Sequence, residues 1–134
     1  MNYVIIGNSA AAIGTIEGIR QVDKTGKITV ISDEKYHTYS RPLISYWLMG
    51  KVTDRNIYYR GADFYEKNGV ETMLDTRVTK IDAAAKNVVL SDGNTVPYDK
   101  LMVATGSKPF VPPMNGMDKI ASCHTFMSYD SVKA

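Results

Sequence analysis

Four stretches of this 134-residue chain carry residue types that can hold a phosphorylated ligand. The first is Gly7-Asn8-Ser9-Ala10-Ala11-Ala12. A β-branched apolar run, Tyr3 to Ile6, precedes it, and Ile13, Ile16 and Ile19 follow at helical spacing. That order predicts a buried strand, a glycine turn and a helix starting at about Ser9. The first N–H groups of a helix have no partner within it, and the helix dipole favours negative charge there. Gly7, Ser9 and Ala12 occupy the three positions of the dinucleotide pattern G-x-G-x-x-G/A. Ser9 departs from it, placing a side chain where backbone would approach a diphosphate, although its hydroxyl can donate to a phosphate oxygen. An ordinary strand–turn–helix with a small-residue interface shows the same pattern. A β-branched residue at Gly7 is expected to abolish ligand uptake and leave a folded domain.

The second stretch follows the next β-rich run, Lys27 to Ile31, and reads Ser32-Asp33-Glu34. Asp33 lies 21 positions beyond Ala12, where a dinucleotide site needs a carboxylate to accept ribose hydroxyls. Asp33 is preferred, with Glu34 the other candidate. The third is Arg41, ahead of Pro42: a planar, permanently charged group suited to a diphosphate. Composition alone favours a surface arginine in a turn. The fourth is Thr105-Gly106-Ser107, after the strand-like Lys100 to Ala104. Small residues at the carboxyl end of a parallel strand let a ligand approach the backbone.

Bulk properties narrow the class. Hydrophobic residues make up 44% and charged residues 22%, as in globular proteins. A net charge of +2 without a basic run argues against nucleic acid. Cys123 is the single cysteine, so neither an internal disulfide nor a zinc cluster is expected, and it reads as a plain free thiol. With a strand from Tyr3 there is no room for a signal peptide, and no apolar run suits a membrane span, so the expectation is cytoplasmic.

The elements that must position these residues follow in order. Strand, helix and strand within about thirty residues make a βαβ unit with parallel strands. Ser45 is expected to cap a short helix through Leu48, ended by Gly50. His37 reads as a loop histidine, and Trp47, Leu48 and Met49 as packing residues. Gly61 to Asn68 predicts a short helix with Ala62, Phe64 and Tyr65 inward. Val70 to Leu74 is a third strand. Arg77 to Ile81, Asn87 to Leu90 and Thr95-Val96, with the turn Asp92-Gly93-Asn94, predict an antiparallel meander. Pro97 confines the last strand to an edge or an end. From Phe110 onward no long element is expected, though Val111, Ile120, Phe126 and Met127 are apolar enough to dock. The fold class is α/β: a Rossmann-like parallel sheet with an inserted antiparallel β-meander.

These residues resemble, from end to end, the N-terminal part of the FAD-binding domain in the pyridine nucleotide-disulfide oxidoreductase superfamily. The branch is similar to NADH-dependent ferredoxin, rubredoxin and nitrite reductases. The resemblance rests on V-I-I-G-N-S-A-A-A-I-G, I-T-V-I-S-D-E, Y-S-R-P-L-I-S, V-T-K-I-D and S-D-G-N-T-V-P-Y-D-K-L-M-V-A-T-G-S-K-P. It implies that Gly7, Ser9, Ala10, Ala11 and Ala12 lie on the FAD diphosphate. Asp33 would take the adenosine ribose, with Glu34 and Lys35 beside the adenine. Arg41 and Pro42 would border the diphosphate and flavin, Val78 would offer its backbone to adenine, and Ala104, Thr105 and Gly106 would line the cofactor.

The thiol-bearing branches place a redox cysteine at Pro42, so a flavin–disulfide mechanism is not expected within these residues, and no catalytic side chain is assigned. Tyr46 stands where arginine-proline reductases often carry lysine. The resemblance further implies residues 1–109 as a partial FAD-binding domain and 110–134 as a lead towards an NAD(P)H-binding domain. The expected function is the FAD-binding portion of an NAD(P)H-dependent oxidoreductase, inactive by itself. The alternative is a non-catalytic adenine-nucleotide-binding module. A homodimer is expected through surface that the missing domain parts would cover.

Overall fold

A computed structural model describes residues 1–108, 110, 112–113, 115–116 and 128–133. The expectations for Val111, Ile120, Cys123, Phe126 and Met127 lie outside the described residues. The chain forms two compact units, Met1–Tyr39 with Tyr58–Thr105, and Ser40–Ile57 with Gly106–Ala134.

The first unit is built on four parallel strands: β1 (Asn2–Ile6), β2 (Lys27–Ile31), β3 (Val70–Met73) and, last in the chain, β7 (Lys100–Val103). Their order is β3-β2-β1-β7. Register is in step, with Ile5 opposite Val30 on one side and Met102 on the other. Three further strands, β4 (Val78–Asp82), β5 (Asn87–Leu90) and β6 (Thr95–Pro97), form a separate antiparallel sheet in that order. The meander is therefore present, and Pro97 ends its last strand. Its tight turn needs Gly93 at φ +87°, between Leu90 and the Asn94 carbonyl that accepts the Leu90 N–H.

Alternation along β1 and β2 sorts the core. Ile5, Ile28 and Val30 face helix α1 (Ala10–Val22) and Phe64 of α3 (Phe64–Lys67), meeting Ala12, Ile13 and Ile16. Val4, Ile6 and Ile31 face the meander and meet Val88 and Leu90. Both faces of β1 and β2 are thus covered, which is why they read as continuous apolar runs. Three side-chain clamps close the ends. Arg20 donates to the Asn68, Gly69 and Asp23 carbonyls, and Arg60 pairs with both oxygens of Glu17. Asp23 accepts the Gly26 and Thr25 N–H groups, which hold its carboxyl below the usual carboxylate range.

Several local expectations are corrected. Ala62 precedes α3 and is exposed, since the helix is only four residues long. β7 looks buried in sequence, yet Met102 and Val103 are exposed because the strand is the sheet's edge. In the second unit a 3-10 turn at Arg41–Leu43 runs directly into α2 (Ile44–Leu48). Pro42 favours that tight start, so Leu43 and not Ser45 occupies the capping position. Trp47 stacks on Tyr129 of α4 (Tyr129–Lys133), with ring centroids 4.6 Å apart. Leu48 and Met49, expected to pack, are exposed.

Candidate functional site

The chain leaves β1 towards β2 and β3, then returns on the other side of β1 as β7. The carboxyl end of β1 is therefore a topological switch point, where open α/β sheets leave a crevice for ligand. Gly7 occupies it. Its N–H donates to the Ile31 carbonyl at 2.8 Å, and the Ala104 N–H donates to the Ile6 carbonyl at 2.7 Å. Three strand ends are laced together there. Gly7 adopts φ +109°, and a Cβ on it would lie 2.2 Å from the Ala104 carbonyl oxygen. The glycine thus has two requirements, its own backbone conformation and the closeness of β7. The second was invisible in sequence, and it adds a cost in stability to the loss of ligand uptake expected of a β-branched residue at Gly7.

Ser9 is the cap of α1, not its first residue, and its carbonyl accepts the Ile13 N–H. Its side chain makes no capping hydrogen bond, and no acidic residue lies in the first turn. The start of the helix keeps its positive character and its open N–H groups at Ala10, Ala11 and Ala12. Ala12 is fully buried against the sheet, while Ala10 and Ala11 are exposed. Small residues thus serve packing on one side and access on the other.

At the end of β2, Asp33 is exposed and Glu34 is half-buried. Glu34 is braced on several sides. The Tyr39 hydroxyl donates to its carboxylate at 2.9 Å, its N–H donates to Ser32 Oγ, and its carbonyl accepts the Asp75 N–H. Asp75 reaches that bond with φ +54°, a conformation asparagine and aspartate tolerate better than most residues. The Thr76 N–H to Ser32 carbonyl bond, 2.8 Å, extends the same bracing. Lys35 is exposed, with its ammonium 5.4 Å from the centre of the Tyr36 ring.

Val78 opens β4, an edge of the antiparallel sheet, and stands opposite Leu90. The Leu90 N–H is committed to Asn94 on the far side, and the flanking rung is the Ser91 N–H to the Arg77 carbonyl. Val78 and Leu90 are therefore a non-hydrogen-bonded pair, and the Val78 N–H and C=O face the free edge. The Val78 side chain packs inward, beside Val88 and Leu90. Such an edge can pair with the donor–acceptor face of a purine.

Ala104 and Thr105 extend from β7 beside Gly7. Arg41 and Pro42 belong to the second unit, as does Gly106, which adopts φ +70°. Sequence reasoning missed Asn8, Tyr39 and Tyr65. Tyr65 donates to Asn8 Oδ1 and accepts the Thr38 N–H, and Asn8 Nδ2 donates to the Tyr36 carbonyl. These contacts span up to 57 residues, and no local pattern announces them. His37 is indeed a loop residue, but it packs against Tyr65 and Tyr58.

A Rossmann-type α/β unit with an anion-receptive helix start at its switch point is the class that fold and site define. The chain belongs to the pyridine nucleotide-disulphide oxidoreductase family, whose model matches residues 1–134. It is 34% identical over 128 residues to the NADH-dependent phenylglyoxylate dehydrogenase subunit epsilon of Aromatoleum evansii, covering 96% of this chain and 30% of that one. It is 36% identical over 117 residues to the nitrite reductase [NAD(P)H] of Bacillus subtilis, covering 87% and 14%. Among solved structures it is similar to the NAD-dependent persulfide reductase from A. fulgidus, with TM-score 0.84 and 29% identity over 99% of this chain and 26% of that one. NADH:rubredoxin oxidoreductase from Clostridium acetobutylicum gives 0.82 and 27%, over 98% and 34%. The chain therefore spans about a third or less of each of these proteins. No helix among the described residues is long and apolar enough to cross a membrane.

Proposed function

We propose that this chain supplies the FAD-binding portion of an NAD(P)H-dependent oxidoreductase. The observation that carries this reading is the start of α1 at the switch point, with Gly7 pressed against Ala104 and no acidic residue in the first turn. Family membership supports the oxidoreductase class, and its NADH-dependent and NAD(P)H-dependent relatives support reduced nicotinamide as the electron source. We assign residues 1–109 to the FAD-binding part and 110–134 to the lead towards an NAD(P)H-binding domain.

When bound, FAD would accept hydride from reduced nicotinamide and pass electrons to an acceptor. The protein's part is to bind and orient. The N–H groups of Ala10, Ala11 and Ala12 would face the diphosphate, with the Ser9 hydroxyl as a further donor. Arg41 would neutralise phosphate charge beside Pro42. The carboxylates of Asp33 and Glu34 would accept ribose hydroxyls, Val78 would pair its backbone with adenine, and Lys35 would lie near that ring. Ala104, Thr105 and Gly106 would allow close approach from the far strand end.

Titration of the purified chain with ADP and with FAD tests this, since ADP carries the diphosphate and adenosine that these residues would hold. We expect ADP to bind with Kd below about 1 mM, about −4 kcal/mol. Failure of both ligands at that level would sink the assignment. FAD uptake by residues 1–134 without bleaching by NADH is the expected result of the same titration.

The ribose contact is open to a paired test. Sequence spacing favours Asp33, whereas the Tyr39, Ser32 and Asp75 contacts give Glu34 the more fixed carboxylate. Glu34→Gln is expected to weaken ADP binding about tenfold or more, the size of a lost hydrogen bond to a charged group of about 1.5–3 kcal/mol. Asp33→Asn should cost less. A larger loss from Asp33→Asn, measured in the same titration, would return the ribose to Asp33.

A further inference from the structure

We propose that Tyr65 is a positioning residue for the Gly7–Ser9 loop: through Asn8 it holds that loop in the shape that receives a diphosphate. The inference rests on the reading of the loop given above. Gly7 is anchored at one end by its N–H to Ile31, and Ser9 at the other by its carbonyl to the Ile13 N–H. Asn8 lies between them, and its side chain carries the lateral restraint. Its Oδ1 accepts from the Tyr65 hydroxyl, and its Nδ2 donates to the Tyr36 carbonyl at 3.2 Å.

The Tyr65 oxygen also accepts the Thr38 N–H at 3.3 Å, so one hydroxyl joins the loop after β1 to the segment after β2. The ring itself is confined. The His37 ring centre lies 4.7 Å away, and that of Phe64 lies 5.5 Å away in an edge-on arrangement. Phe64 is a core residue of the sheet's α1 face, so the hydroxyl is fixed by reference to the core. Burial pushes the Tyr65 pKa above the ordinary phenol value, so the group remains a donor near neutral pH. A loop set before ligand arrives does not have to be ordered on binding, and ordering a single residue costs about 1–2 kcal/mol.

The test uses Tyr65→Phe, Asn8→Ala and the double variant. Affinities for ADP, FAD and adenosine are measured together with amide hydrogen exchange of the unliganded proteins. Each single variant should weaken ADP and FAD binding about tenfold. The double variant should be no weaker than either single one, because Tyr65 acts through Asn8. Adenosine, which has no phosphate, should bind all of them alike. Exchange should quicken at Gly7, whose N–H donates to the Ile31 carbonyl, in Tyr65→Phe and stay slow at Ile5 and Val30.

Losses that multiply in the double variant, or an equal loss for adenosine, would overturn the proposal, because a merely structural role predicts both. Unchanged loop exchange in Tyr65→Phe would overturn it as well. Should the parent chain bind neither ADP nor FAD, the diphosphate reading fails. In that case loop exchange still decides whether Tyr65 holds the loop: quickening upholds the restraint and unchanged rates remove it.

Discussion

Gly7→Val should lower both the stability of the protein and its affinity for ADP, by more than any other single change at the site. Its Cβ would lie 2.2 Å from the Ala104 carbonyl oxygen, a backbone atom with no side-chain freedom to move away. The strand end of β7 would have to shift, and that breaks the Ala104 N–H bond to Ile6. The backbone at φ +109° adds strain for a β-branched residue. Displacement and strain together cost about 2–6 kcal/mol, against about 5–15 kcal/mol for the stability of a typical domain. Thermal denaturation should show a large fall in midpoint, and ADP titration of the folded fraction should show binding beyond reach. A Gly7→Val protein with the parent's midpoint and affinity would mean that the contact with Ala104 is not what places this turn.

Ile13→Ala separates stability from the site. Ile13 is fully buried between α1 and the sheet, in one cluster with Ile5, Ile16, Ile28, Val30 and Phe64. Truncating it removes apolar burial and leaves a cavity that the laced strands cannot readily close. The expected loss is about 2–5 kcal/mol. The side chain faces the core and not the exposed surface of Ala10 and Ala11, so the molecules that remain folded should bind ADP within about threefold of the parent, a shift of less than about 0.7 kcal/mol. Denaturant titration reads the first effect and ADP titration at low temperature the second. A stability change below about 1 kcal/mol would show that the helix is held mainly by its clamps, Arg60 to Glu17 and Arg20 to the α3–β3 turn.

The amino-acid order by itself determined the elements of the first unit and where the carboxyl ends of its parallel strands lie. Apolar runs buried on both faces, an isoleucine period on α1 and a glycine-marked hairpin are local signals, written within a few residues of the structure they cause. The same locality made the cradle legible, because a strand, a glycine and a small-residue helix start are adjacent in sequence. It failed where neighbours decide. Met102 and Val103 have the composition of a buried strand but lie on an edge. Ser45 has the type of a cap, but Pro42 starts the helical turn earlier. Gly7 is needed for the closeness of Ala104, 97 residues away in sequence, as much as for any ligand. The Val78 backbone faces outward only because Leu90 is committed to Asn94. Tyr39 donates to Glu34 and Tyr65 to Asn8, and a tyrosine's type does not reveal which distant oxygen its hydroxyl will meet. Local propensity and periodicity act over one turn or one strand. The distances that shape a binding loop are set by which elements pack together, and only the tertiary structure decides that.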